Sequence, residues 1–139
     1  MQWMILPYKR YFDFSGRSRR KEYWMFALFT FLVSLAIDIV FGVPSYRHVG
    51  SFVGFSSLVS GTGGLVQNLF TLFSFIPSLA VSVRRLHDQD RSGWLLLLVL
   101  IPVLGWFALL VLMCLEGTKG DNSYGPDPKR PGVDADVFA

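Results

Sequence analysis

Two long apolar runs without a formal charge, Leu69–Val83 and Trp94–Leu115, flank a short segment crowded with charge, RRLHDQDRS, Arg84–Ser92. Charge that dense between lipid-compatible stretches restricts the chain to one kind of arrangement. The runs enter a membrane, and the charged segment is a loop at its surface. That loop holds His87, one of two histidines, together with Asp88 and Asp90. Proton-responsive chemistry, if the chain has any, centres there.

A further apolar run, Trp24–Val43, is interrupted by one charge, Asp38. Twenty helical residues span about 30 Å, the thickness of the hydrocarbon core. Only 17% of the residues are charged, against roughly 25% in a soluble domain, and mean hydropathy is +0.43. The 139 residues suffice for a single domain. The expected fold is therefore all-α: an integral membrane protein with three transmembrane helices at 24–43, 65–83 and 93–115. An amphipathic basic segment (1–23) precedes them, loops occupy 44–64 and 84–92, and an irregular Gly/Pro-rich tail (116–139) follows. The 44–64 segment is dense in Gly and Ser and reads as a loop, with a fourth span as the alternative. The first apolar run starts late and is too long for a cleavable signal, so it reads as a retained anchor.

Charge bias orients the spans. With three of them, the N-terminal segment and the 84–92 loop share a side holding nine Lys and Arg, against four on the other. That places the N-terminus in the cytoplasm and the tail outside. The alternative turns on Ile101–Gly105, where Pro102 removes a backbone donor. A chain reversing there would carry the tail to the cytoplasmic side and shift the count to twelve against one. Each half would be too short to cross, and a lipid-exposed turn is unfavourable, so a kinked continuous helix is expected.

In the N-terminal segment, aromatic and aliphatic residues such as Trp3, Tyr8 and Phe12 suit the membrane interface, while Arg17, Arg19 and Arg20 suit anionic headgroups. Ser18 is placed to cap the first span. In the charged loop, Arg84, Arg85, His87, Asp88, Asp90 and Arg91 allow two readings. One is a self-neutralised turn in which Ser92 starts the next helix. The other is a headgroup- or partner-contacting, proton-responsive site, with Arg84, His87 and Asp88 on one helical face and Asp88 raising the His87 pKa.

Within the membrane, Asp38, Gln67 and Asn68 need explaining, with Arg47 and His48 as candidate partners for Asp38. Asp38 is either interfacial, hydrogen-bonded between helices, or part of a polar cluster for an ion or solute. Cys114 is alone, so no internal disulfide forms, and it reads as a small hydrophobe. No metal site is expected: arginines abut the His-Asp-x-Asp ligand types, and the oxygen ligands of the tail lack an EF-hand pattern. No cofactor or catalytic motif is recognised. Basic residues beside an apolar span point to headgroups rather than nucleic acid. The tail reads as a chain of turns, with 133–139 frayed.

Four segments occur in order: FDFSGRSRRKEYW (Phe12–Trp24), RRLHDQDRSGW (Arg84–Trp94), IPVLGW (Ile101–Trp106) and GTKGDNSYGPDP (Gly117–Pro128). Together they resemble the bacterial inner-membrane proteins of domain-of-unknown-function family 805. The resemblance implies a small multi-span inner-membrane protein and brings no catalytic residues. The function expected is non-enzymatic: an accessory or envelope-adaptation protein contacting anionic headgroups, a membrane-protein partner or a second copy of itself. The alternatives are a subunit of an ion or small-solute transporter or channel lined by Asp38, Gln67 and Asn68, and a lipid-modifying enzyme using His87 as base.

Overall fold

The computed structural model describes residues 2–41 and 61–129. Among these residues the regular structure is four α-helices and one 3₁₀ helix: α1 Gln2–Lys9, α2 Arg20–Phe41, α3 Gly61–His87, a 3₁₀ helix Gly93–Leu100, and α4 Leu104–Cys114. Most of the 44–64 loop, with Arg47 and His48, lies outside the described residues, as does the tail end 130–139; residues 61–64 belong to α3.

Helix α2 has 22 residues and so extends about 33 Å, enough to cross the hydrocarbon core. Helices α2 and α3 are both long and apolar enough to span a membrane. They run antiparallel. Glu22 meets Arg84 at one end, Gln67 donates to Ser34 Oγ at 3.0 Å midway, and Gly63 lies against Phe41 at the other end. Their outer faces carry Leu28, Phe31, Leu35, Leu69 and Leu72 exposed, a pattern suited to acyl chains rather than water. Helix α2 starts four residues before Trp24 because the end of the basic segment is itself helical. Ser18 does not cap it: its hydroxyl is buried without a hydrogen-bond partner, and its backbone N–H donates to the Arg84 carbonyl at 3.1 Å.

Helix α1 docks onto this pair. Leu6 and Pro7 are buried, and the Tyr8 ring stacks on Phe73 and meets the edges of Phe26 and Phe29. Pro77 lies inside α3 and has no N–H for the Phe73 carbonyl one turn earlier. The Tyr11 hydroxyl donates to that oxygen at 2.7 Å. A backbone acceptor freed by proline is thus satisfied from the N-terminal segment, as an apolar setting requires.

The third apolar run departs from expectation. It is not one helix over 93–115 but a hairpin, so the described chain has two candidate spans plus a shorter apolar helix. Eight 3₁₀ residues and eleven α-helical residues each rise roughly 16 Å, about half the hydrocarbon thickness. The reversal is built from IPVLGW. Val103 has φ 65° and ψ −68°, and Leu104 N–H donates to the Pro102 carbonyl at 2.8 Å, which closes a γ-turn. Gly105 is buried against the other arm, where an added Cβ would stand 1.8 Å from the Leu98 carbonyl oxygen. The Trp106 indole donates to the Val99 carbonyl at 2.9 Å. These internal bonds offset the cost of a turn in lipid that favoured a continuous helix on sequence grounds.

Gly105→Ala should therefore lower the melting temperature in mild detergent, at a cost of about 1–3 kcal/mol. Val103→Gly, which relieves a positive φ on a β-branched residue, should raise it. Equal melting temperatures for both variants and the wild type would contradict the hairpin.

A buried ion cluster where the motifs meet

The charged end of α3 is the best-buried part of the molecule. Arg84 and Arg85 are fully enclosed, and Arg17, Glu22 and Asp88 are nearly so. Arg84 Nη2 reaches Glu22 Oε1 at 3.1 Å, and its Nη1 donates to the Asp13 carbonyl at 2.9 Å. Asp88 accepts from two arginines at once: Arg85 Nη1 on Oδ2 at 2.5 Å and Arg17 Nε on Oδ1 at 3.0 Å. Three guanidiniums thus share two carboxylates.

Backbone carbonyls take up most of the remaining donors, while Arg84 Nε is buried without a partner. Arg17 donates to Thr118 and Gly120 carbonyls, both at 2.6 Å. Arg85 donates to the carbonyls of Met113 and Leu115 at the end of α4, where the helix presents the negative pole of its dipole. Gln89 donates to the Leu112 carbonyl of the same helix. The N-terminal segment, α2, α3, α4 and the tail all meet at this cluster.

The loop after α3 is a helix cap. Arg91 N–H donates to the Leu86 carbonyl and Asp90 N–H to the His87 carbonyl, with Asp90 at φ 55°. This is the Schellman pattern, with aspartate at the left-handed position usually held by glycine. Asp90 Oδ1 also accepts the Ser123 N–H. Ser92 starts the next helix as expected, accepting from Trp94 N–H.

The tail folds back onto this cap. Thr118 N–H donates to the Asp88 carbonyl at 2.8 Å, and Asn122 Nδ2 donates to the His87 carbonyl at 2.8 Å. The Tyr124 ring stacks flat on the His87 ring, with centroids 3.9 Å apart. Gly117 approaches so closely that a Cβ would lie 1.9 Å from Asp88 Oδ2. Within the tail, N–H groups of Lys129 and Gly120 hold the Asp127 carboxyl below its usual range. Near Arg84, partial burial opposes ionisation of Asp13, but hydrogen bonds from Ser15 and Arg10 outweigh it and depress its pKa.

Several sequence expectations change here. Arg17, Arg84, Arg85 and Asp88 are buried and paired, so they are not positioned to touch headgroups. The carboxylate of Asp88 is occupied by arginines and does not pair with His87. The tail lies at the same end of the helices as the N-terminal segment and the 84–92 loop, not at the opposite end. Arg19, Arg20, Asp90 and Arg91 remain at least partly exposed around the cluster. Gln67 makes the interhelical bond to Ser34, while Asp38 makes no hydrogen bond or ion pair among the described residues. Cys114 is exposed rather than packed. Glu22, Tyr11, Thr118 and Tyr124 were not singled out for these roles, though all but Tyr11 lie within the four motif segments.

The family described as "Protein of unknown function (DUF805)" matches residues 11–126, a stretch that contains every charged side chain of the cluster. The chain belongs to this family. It is 43% identical over 129 residues to the inner membrane protein YhaI of Escherichia coli (strain K12), covering 93% of this chain and 97% of that one. It is 38% identical to the inner membrane protein YhaH of the same strain, covering 93% and 98%. The uncharacterized protein YiiR of that strain is 28% identical, covering 90% and 92%. No solved structure matches the chain. With two helices of spanning length and relatives of these names, this member of family DUF805 is an inner-membrane protein.

Proposed function

We propose that this protein is a small, non-enzymatic inner-membrane component with both termini in the cytoplasm. Its partners are anionic lipid headgroups, met through the basic residues left outside the ion cluster. The observation that carries this reading is the division of the cations. Arg17, Arg84 and Arg85 are buried in the cluster, whereas Lys21 and Arg91 are exposed. They lie at the same end of the molecule as Trp24 and Trp94, which are also exposed, and indoles favour the interface. The buried arginines give the fold its closed end, and the exposed cations give that end its affinity for anionic lipid.

Native mass spectrometry from gentle detergent tests this. The wild type should retain phosphatidylglycerol in preference to phosphatidylcholine, and Lys21→Gln/Arg91→Gln should lose the preference while melting normally. Retention that ignores headgroup charge would overturn the reading. Substitution of Arg84 or Arg85 is no test of lipid contact, because it removes part of the folded core.

A further inference from the structure

An open groove of about 500 Å³ runs between the first turn of α2 and the end of α4, lined by Arg20, Lys21, Trp24, Met25 and Cys114. Its two cations differ. Arg20 is fixed, donating to the Cys114 carbonyl at 3.0 Å and to Glu116 Oε1 at 2.5 Å. Lys21 makes no ion pair among the described residues, and its ammonium lies 5.8 Å from the centre of the Trp3 ring. With Glu116 paired to Arg20, the Lys21 ammonium leaves the rim positively charged.

Away from the rim the walls become apolar. Leu28 follows Trp24 by one helical turn on α2, and Leu110 precedes Cys114 by one turn on α4, so each pair shares a face. Both leucines are exposed. A cationic rim above a trough of apolar side chains matches one class of ligand: a phosphate ester joined to an acyl chain.

We propose that this groove seats a single anionic phospholipid, with its phosphate at Lys21 and Arg20 and an acyl chain along Trp24–Leu28 and Leu110–Cys114. The proposal rests on the headgroup reading above and gives it an address. Lys21 supplies the uncommitted charge, Arg20 holds the groove's two walls at a fixed spacing, and Trp24 marks the depth of the headgroup.

Cys114, the single cysteine of the chain, provides the readout. Alkylation by a neutral maleimide is followed in nanodiscs of phosphatidylcholine alone and of phosphatidylcholine with phosphatidylglycerol. Labelling should be severalfold slower in the anionic discs, and Lys21→Gln should remove that protection while Lys21→Arg keeps it. An anionic surface by itself also slows labelling, because its negative potential disfavours the reactive thiolate. Loss of Lys21 enlarges that background effect, so restored labelling in Lys21→Gln is the signature of an emptied groove. Equal labelling of the wild type in both discs overturns the site. Protection by soluble glycerol phosphate in neutral discs overturns a lipid occupant. If phosphatidylglycerol is still retained in mass spectra while Cys114 stays unprotected, the groove is wrong and the headgroup reading stands. If no headgroup preference is seen at all, both fall.

Discussion

Asp88→Ala should leave the chain with too little stability to remain folded in mild detergent. Its carboxylate is 4% exposed and serves Arg17 and Arg85, themselves 1% and 0% exposed. Removing one partner of a buried ion pair typically costs about 3–5 kcal/mol, because the other charge stays buried without compensation. Here one substitution strands two guanidiniums, in a domain whose total stability is typically about 5–15 kcal/mol. Glu22→Ala should act in the same direction and less strongly, since Arg84 keeps the Asp13 carbonyl. Arg91→Gln, at an exposed position, should stay within about 0.5 kcal/mol of the wild type. The measurements are the monodisperse fraction on size exclusion and the thermal midpoint in detergent. An Asp88→Ala protein that elutes and melts like the wild type would show that the cluster does not hold this end of the molecule together.

The two long spans were legible because hydropathy and length report directly on lipid compatibility, and α2 and α3 need nothing more to be found. The fate of 93–115 was not. Its apolar content is the same whether the run crosses once or reverses. Only Pro102 and Gly105 marked the difference, and neither announces the γ-turn at Val103 or the Trp106–Val99 bond that makes a turn in lipid tolerable. The cluster was hidden for a different reason. Consecutive charges in a short loop read as solvated, and their burial depends on partners far away in sequence: Arg17 and Glu22 on one side, Thr118 and Gly120 on the other. The motif segments did contain those partners, but resemblance to a family identifies which residues belong together without saying that they touch. Tyr11 satisfying the carbonyl that Pro77 leaves free is of the same kind, a pairing visible only when both segments are in place.

A reporter fused after Ala139 should be cytoplasmic in every molecule, as should one fused before Met1. The tail is bonded to Asp88 and Arg17, so the chain makes an even number of crossings between its N-terminal segment and residue 118. Charge then supplies the expected direction. Twelve of the thirteen Lys and Arg fall in 1–23, 84–92 and 116–139, and Arg47 alone falls in 44–64. A bias that large leaves little room for mixed orientation. The pair of fusions separates the two parts of the argument. Reporters on opposite sides would mean that 93–115 crosses and the tail contacts do not form in the membrane. Both on the periplasmic side would preserve the hairpin and defeat the charge argument. Both in the cytoplasm is the outcome expected from geometry and charge together, since the hairpin brings Lys119 and Lys129 to the side that carries the cations of 1–23 and 84–92.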